Sequence, residues 1–249
     1  MSEPERKKPA RTIYLLPNML TTLSMFLGFL SMVWASQGRF ESAGMAILVS
    51  ALMDGLDGKV ARLTNTASEF GVQYDSLADL VAFGLAPAIL VWHWQLFKFG
   101  RVGLAAAFIY MACGALRLAR FNVNAAQTSK RFFIGLPIPA GGCSMVTLVF
   151  FASALPAAVE PITPWLAIFT SVAVGILMFS RVRYFSFKEY DVFQAHPARS
   201  MLSFLFLLAV LISFPRLTGF VYCLLYIAWG LIYTYYVMPR RDRRSIVPR

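Results

Sequence analysis

The amino-acid sequence predicts an all-α, polytopic integral membrane bundle of about eight transmembrane helices (six to eight), and three observations carry that prediction. Of 249 residues, 58% are hydrophobic and only 14% charged, and the mean hydropathy is +0.63, a balance unsuited to a water-exposed surface. Several uncharged stretches approach or exceed the roughly 20 residues that a helix needs to cross about 30 Å of hydrocarbon. The 23 Lys and Arg residues gather at the ends of those stretches. Disorder, a coiled coil and a disulfide scaffold are thereby excluded. Cys113, Cys143 and Cys223 stand singly inside apolar segments, without paired or metal-ligand spacing.

Each span is an apolar run bounded by charge or by turn residues. Span 13–36 lies between Arg11 and Arg39, 42–62 runs from Glu41 to Arg62, and 72–97 stops at Lys98. Span 102–122 opens after Arg101, and 138–158 opens at the Gly135 to Pro139 turn. Spans 163–180, 200–214 and 217–238 lie between Glu160 and Arg181, Arg199 and Arg216, and Arg216 and Arg240. Alternate connections hold 19 of the 23 Lys and Arg residues, whereas the opposite set holds only Arg39, Lys98, Arg101 and Arg216. That asymmetry predicts an even number of spans with both termini in the cytoplasm. Residues 1–12 then form a basic cytoplasmic segment, 13–238 the membrane domain and 239–249 a basic cytoplasmic tail. Arg6 to Arg11 imitate the n-region of a signal peptide, with Val33-Trp34-Ala35 as a cleavage site. The first apolar run is long for that purpose, and the charge alternation works with it retained. The net charge of +11 points to anionic lipid headgroups rather than nucleic acid, because the basic residues flank the spans. The 181–199 connection carries no readable motif.

Four of the 12 acidic residues lie in apolar surroundings: Asp54 and Asp57 late in span two, Asp75 and Asp79 early in span three. Insertion scales put about 2.5 to 3.5 kcal/mol on one carboxylate at a helix centre, so four unpaired ones cost roughly 10 to 14 kcal/mol. Spacings of i,i+3 and i,i+4 put each pair on one face of its helix. At about 1.5 Å per residue, Asp57 and Asp54 lie about 6 and 10 Å before an end near Ala61, and Asp75 and Asp79 about 5 and 10 Å into a helix starting near Val72. The helices run antiparallel, so the pairs meet at matching depth. Carboxylates converging in this way need cations, and all-oxygen ligation suits Mg²⁺, Mn²⁺ or Ca²⁺; two-metal sites of this kind serve phosphoryl chemistry. A charge network with Lys59, Arg62, Arg117 and Arg120, or a cation pathway through the membrane, satisfies the same spacing.

The run Asp54-Gly-Leu-Asp57-Gly58-Lys-Val-Ala61-Arg62, eight residues, Gly71, three residues, Asp75, three residues, Asp79 resembles the D-x2-D-G-x2-A-R-x8-G-x3-D-x3-D motif of the CDP-alcohol phosphotransferases at every specified position. Leu16-Pro17-Asn18-Met19-Leu20-Thr21, Leu116 to Asn122, and Gly135-Leu136-Pro137-Ile138-Pro139-Ala140 are similar to the phosphatidylserine synthase branch found in bacterial membranes. Ser24 departs from that branch, which often carries Asn there.

The resemblance implies two divalent cations, Mg²⁺ or Mn²⁺, on Asp54, Asp57, Asp75 and Asp79, with Asp79 also the base for the attacking hydroxyl. It implies CDP between spans one to three, near Asn18, Thr21, Gly58, Ala61, Arg62 and Gly71. CDP-diacylglycerol and L-serine are the implied substrates, with glycerol 3-phosphate, inositol or choline as the alternative acceptor, and the resemblance implies a homodimer in the inner (cytoplasmic) membrane with the active site on the cytosolic side. Arg117 and Arg120, i,i+3 at the cytosolic end of span four, are candidates for the acceptor or a lipid phosphate, or anchor the helix end. Gly58 and Gly71 equally suit close helix packing, and Asn18 and Thr21 helix capping. His93 and His196 are the only histidines and neither lies beside the carboxylates. A phosphohistidine route therefore has no obvious nucleophile, and direct attack in a ternary complex is expected.

Overall fold

A computed structural model describes residues 15–64, 68–124, 132–185 and 215–237. The expected span 200–214, the 1–12 segment and the 239–249 tail lie outside them. The described chain is a bundle of helices: α1 (Leu15–Ser36), α2 (Phe40–Leu63), α3 (Glu69–Asp79), α4 (Ala86–Trp94), α5 (Arg101–Asn124), α6 (Ile138–Ser153), α7 (Thr163–Phe179) and α8 (Pro215–Ile232). Short strands β1 (Phe132–Ile134) and β2 (Arg183–Phe185) pair antiparallel, with Phe133 opposite Tyr184.

Seven of the expected spans coincide with helical segments. Five described segments are long and apolar enough to cross a membrane: Pro17–Ser36, Glu69–Trp94, Arg101–Val123, Glu160–Phe179 and Arg216–Tyr236. Expected span two is α2, whose interior charges Asp54, Asp57, Lys59 and Arg62 set it apart from the apolar spans. Expected span five is α6, shorter at 16 residues. Large apolar side chains face outward along the bundle, among them Phe26, Phe29, Leu52, Phe108, Phe169 and Trp229. Water would not tolerate so extensive a surface, whereas lipid covers it without cost. The chain is a membrane protein.

Local sequence explains the boundaries. Ser68 caps α3 by accepting the Gly71 N–H at 3.0 Å, so α3 starts at Glu69, three residues before the expected Val72. On the other side of that connection α2 runs on to Leu63. Both shifts carry the carboxylates deeper by a similar amount, and the two pairs keep matching depth. The third span is one rod in which a π-helical turn, Leu80–Leu85, joins α3 to α4 immediately after Asp79. The Phe83 carbonyl there receives the Tyr110 hydroxyl of α5 at 2.8 Å, so a buried acceptor in the widened turn is satisfied. Around it Ala82, Phe83, Ala86, Leu90, Tyr110, Leu136, Ile138 and Met145 form a fully buried core.

Two close approaches fix the bundle near the site. A Cβ on Gly28 would stand 2.7 Å from the Ala82 Cα, so α1 reaches the π turn only because Gly28 has no side chain. Gly135 sits at φ 80° and a Cβ there would strike the Met178 carbonyl. It donates its N–H to the Val182 carbonyl at 2.8 Å and seats the small sheet against the end of α7. This ladder is the one departure from all-α among the described residues. One turn of helix above the acidic cluster, Ser24 and Ser50 join α1 to α2 through their hydroxyls at 2.7 Å, and Ser50 also donates to the Ser24 carbonyl at 3.0 Å. Ser24 is thus turned into the helix seam.

Candidate metal centre and active site

The structure brings Asp54 and Asp57 of α2 together with Asp75 of α3. One carboxylate oxygen from each lies within 4.8 Å of the others. Two oxygens on opposite sides of one small octahedral cation are about 4.2 Å apart, given metal–oxygen distances of about 2.1 Å. At most one of the three pairs can stand opposite, and neighbouring oxygens of such a cation lie about 3 Å apart, so the triad must draw closer to hold a divalent metal; its oxygen-only donors suit a hard one. Asp79 lies on the same face of the rod, one turn beyond Asp75, and its carboxylate is close to that of Asp54.

The support for this cluster comes mainly from α1. Asp57 is buried, and the Thr21 hydroxyl lies 2.7 Å from its Oδ2. Pro17, which cannot lengthen a helix from its interior, stands in the first turn of α1, and its carbonyl lies 3.1 Å from the same hydroxyl. Thr21 thus holds the carboxylate of Asp57, a candidate metal ligand. Thr22 donates to the Asn18 carbonyl at 2.7 Å and meets the Tyr74 hydroxyl at 2.8 Å, which ties α1 to α3. The Asn18 side-chain oxygen faces Gly71, where an added Cβ would stand 3.8 Å from it.

Gly58 separates the two readings open to it. Among the described residues nothing lies within 4 Å of a Cβ built there, nor of one on Gly55. Close packing against the described residues therefore does not account for Gly58. Ala61 and Arg62 belong to α2 by backbone, but their side chains lie outside the described residues.

The two candidate arginines diverge. Arg117 is 7% exposed and stands within electrostatic reach of Asp79, Arg120 and Tyr226 of α8. Its Nε is buried without a hydrogen-bond partner among the described residues. Arg120 donates to the carbonyls of Phe179 at 2.9 Å and Ser180 at 3.1 Å, with its guanidinium over the Phe179 ring. It closes the C-terminus of α7, a position that favours a cation.

Sequence reasoning missed a polar junction between α3 and α5. Asn122 donates to Ser76 Oγ at 3.0 Å and to Gln73 Oε1 at 3.2 Å, beside Asp75 and on the same rod as Asp79. Its only signal was its place in the quoted Leu116 to Asn122 run. His93 lies in the last turn of α4, about 21 Å along the rod from Asp79 at 1.5 Å per residue, and His196 is outside the described residues. The end of the bundle remote from the carboxylates carries an aromatic and ionic rim instead: Arg39 over Trp34, Phe99 against Trp165, and the exposed Arg216–Glu41 ion pair at 2.9 Å.

A carboxylate triad beneath an open glycine, at one end of a membrane bundle, defines an integral membrane protein able to bind a divalent metal. Residues 14–177 match the CDP-alcohol phosphatidyltransferase family, and the chain belongs to that family. It is 41% identical over 181 residues to a protein of Helicobacter pylori strain 26695, covering 73% of this chain and 76% of that one. A Bacillus subtilis relative is 32% identical over 175 residues, 70% of this chain and 92% of its own. A Methanocaldococcus jannaschii relative is 32% identical over 234 residues, 89% and 95% respectively. All three bear the name CDP-diacylglycerol–serine O-phosphatidyltransferase.

Proposed function

We propose that this protein transfers the phosphatidyl group of CDP-diacylglycerol to L-serine, giving phosphatidylserine and CMP. The observation that carries the reading is the convergence of Asp54, Asp57 and Asp75, each offering an oxygen within 4.8 Å of the others, in the family's own motif. Asp54, Asp57, Asp75 and Asp79 hold two divalent cations, Mg²⁺ or Mn²⁺, which when bound neutralise the diphosphate and stabilise the CMP leaving group. Asn18, Gly58, Ala61, Arg62 and Gly71 line the nucleotide side, and the open surface at Gly55 and Gly58 admits the phosphates. Thr21 holds Asp57 in its ligating orientation.

Asp79 accepts the proton of the serine hydroxyl. The hydroxyl oxygen attacks the phosphorus bearing diacylglycerol, and the bond to the CMP oxygen breaks. Arg117 lies across from Asp79 and binds the acceptor, while Arg120 steadies that wall by capping α7. The protein sits in the inner membrane as eight spans with both termini and the site cytosolic, as a homodimer; residues 13–238 are the enzyme domain, and 1–12 and 239–249 its basic cytoplasmic ends.

The test offers purified protein CDP-diacylglycerol with serine, glycerol 3-phosphate, inositol or choline, in Mg²⁺ or Mn²⁺, and follows CMP. Serine is expected to give the fastest release; a faster alcohol overturns the acceptor, and no CMP with any acceptor overturns the reaction. A chiral phosphorothioate donor is expected to show inversion at phosphorus, and net retention would require two displacements.

A further inference from the structure

Of the buried side-chain atoms unpartnered among the described residues, Ser31 Oγ, Gln95 Oε1, Arg117 Nε and Tyr184 Oη, the Tyr184 hydroxyl has no role in the reaction above and lies on an element linked to Arg117. Tyr184 of β2 is fully buried, and its hydroxyl has no hydrogen-bond partner among the described residues. A phenyl ring would fill the same space without burying an unmet hydroxyl, so packing alone gives no reason for the oxygen. The Tyr184 ring lies 5.4 Å from that of Tyr226, and Tyr226 lies within Coulombic reach of Arg117. Arg117 in turn has its buried Nε unpartnered. The elements α5, α8 and β2 thus bring a guanidinium and two phenols toward one another, with Arg117 also within electrostatic reach of Asp79.

This placement is built, not incidental. Gly135 allows the chain to turn against α7, and β1, which ends just before it, pairs with β2 so that Phe133 stands opposite Tyr184. Gly230 of α8 leaves the gap into which the Tyr184 ring fits; a side chain there would strike the ring. The Thr234 hydroxyl receives the Arg183 N–H at 2.9 Å and locks β2 to the end of α8. A buried guanidinium whose Nε is unpartnered among the described residues, and a buried phenol hydroxyl likewise unpartnered among them, match a carboxylate, which brings acceptor oxygens and one negative charge.

We propose that Arg117, Tyr184 and Tyr226 seat the carboxylate of the amino-acid acceptor, with the Tyr184 hydroxyl selecting acceptors that carry one. This rests on the reading of serine as the acceptor. It gives the small sheet and α8 a function: they close the acceptor side of a site whose metal side is made by α1 to α3.

Tyr184→Phe and Tyr226→Phe, made in the full chain and assayed in mixed micelles, test the assignment. Each keeps its ring, and Tyr184→Phe removes an unmet hydroxyl, so melting without substrates should be equal or higher in that variant. The serine KM should rise about tenfold in Tyr184→Phe, the size of one lost hydrogen bond to a charged group, with the KM for CDP-diacylglycerol and kcat within about twofold. The added thermal stability given by serine should fall in parallel, and the preference for serine over L-serinamide, which lacks the carboxylate, should narrow. A serine KM unchanged in Tyr184→Phe while the wild type remains serine-dependent overturns the seat and leaves the proposed reaction standing. Wild-type CMP release that responds to another alcohol and not to serine overturns both.

Discussion

Arg117 and Arg120 stand one turn apart on α5, yet they belong to different regions of the molecule. The first is buried, facing Asp79, with a nitrogen unpartnered among the described residues. The second reaches past the helix flank to the carbonyls of Phe179 and Ser180. A spacing of i,i+3 puts two Cα atoms near one another, but long side chains from those positions splay apart, and the neighbouring helix captures whichever one meets its free carbonyls. On one side the guanidinium nitrogen is left unpartnered among the described residues; on the side toward α7 charge completes the scaffold. The same contrast runs along the α1–α2 seam, where Thr21 spends its hydroxyl on Asp57 and Ser24, one turn on, spends its own on Ser50.

The largest effects are expected on the acidic side. Asp54→Asn, Asp57→Asn, Asp75→Asn and Asp79→Asn should each lower CMP release by on the order of 10³-fold while the protein still inserts. Raised metal should partly restore the first three, whereas Asp79→Asn should lower kcat with little change in the KM for CDP-diacylglycerol. Near-normal turnover of Asp79→Asn at saturating metal would remove it as the base.

Thr21→Val comes next. It keeps the shape of the side chain but takes the hydrogen bond from Asp57, and partners of metal ligands typically account for about 10 to 100-fold in metal affinity. A Mn²⁺ titration of activity should shift to higher concentration by that order, and an unmoved titration would reduce Thr21 to a helix contact.

The two arginines then test the contrast directly. Arg117→Lys keeps charge and loses the guanidinium fork, so the serine KM should rise about tenfold or more with little change for CDP-diacylglycerol. Arg120→Lys should leave the serine KM within about twofold and instead lower stability by about 1 kcal/mol, the usual size of a helix-end interaction, read as a lower melting temperature in micelles. Exchanged outcomes, with Arg120→Lys raising the serine KM and Arg117→Lys only melting earlier, would reverse the division between the two regions.

The smallest effect is expected at the opposite end. Arg216→Gln breaks an exposed ion pair with Glu41 and should cost no more than about 1 kcal/mol, with activity unchanged. A large loss of activity there would mean that the remote rim is coupled to the site.

Much of the molecule was legible in its residues. Hydropathy and charge placement located seven helical segments to within a few residues, because crossing hydrocarbon leaves a chain little choice of composition or backbone. Four carboxylates at i,i+3 and i,i+4 spacing on antiparallel spans marked the site, because charge in that setting is expensive enough to need a purpose. What stayed illegible depended on contacts between segments far apart in sequence. The direction each arginine takes, the turn of Ser24 into the seam, the burial of Tyr184 against α8 and the three-residue sheet all follow from which carbonyls and gaps neighbouring helices present. The sequence by itself determined the solvent of this protein, its helices and the chemistry of its acidic face, since these rest on residue type and local period. Only the tertiary structure decided which polar groups are spent on holding the bundle and which are left for a ligand, because a hydrogen bond is satisfied by geometry that packing alone supplies.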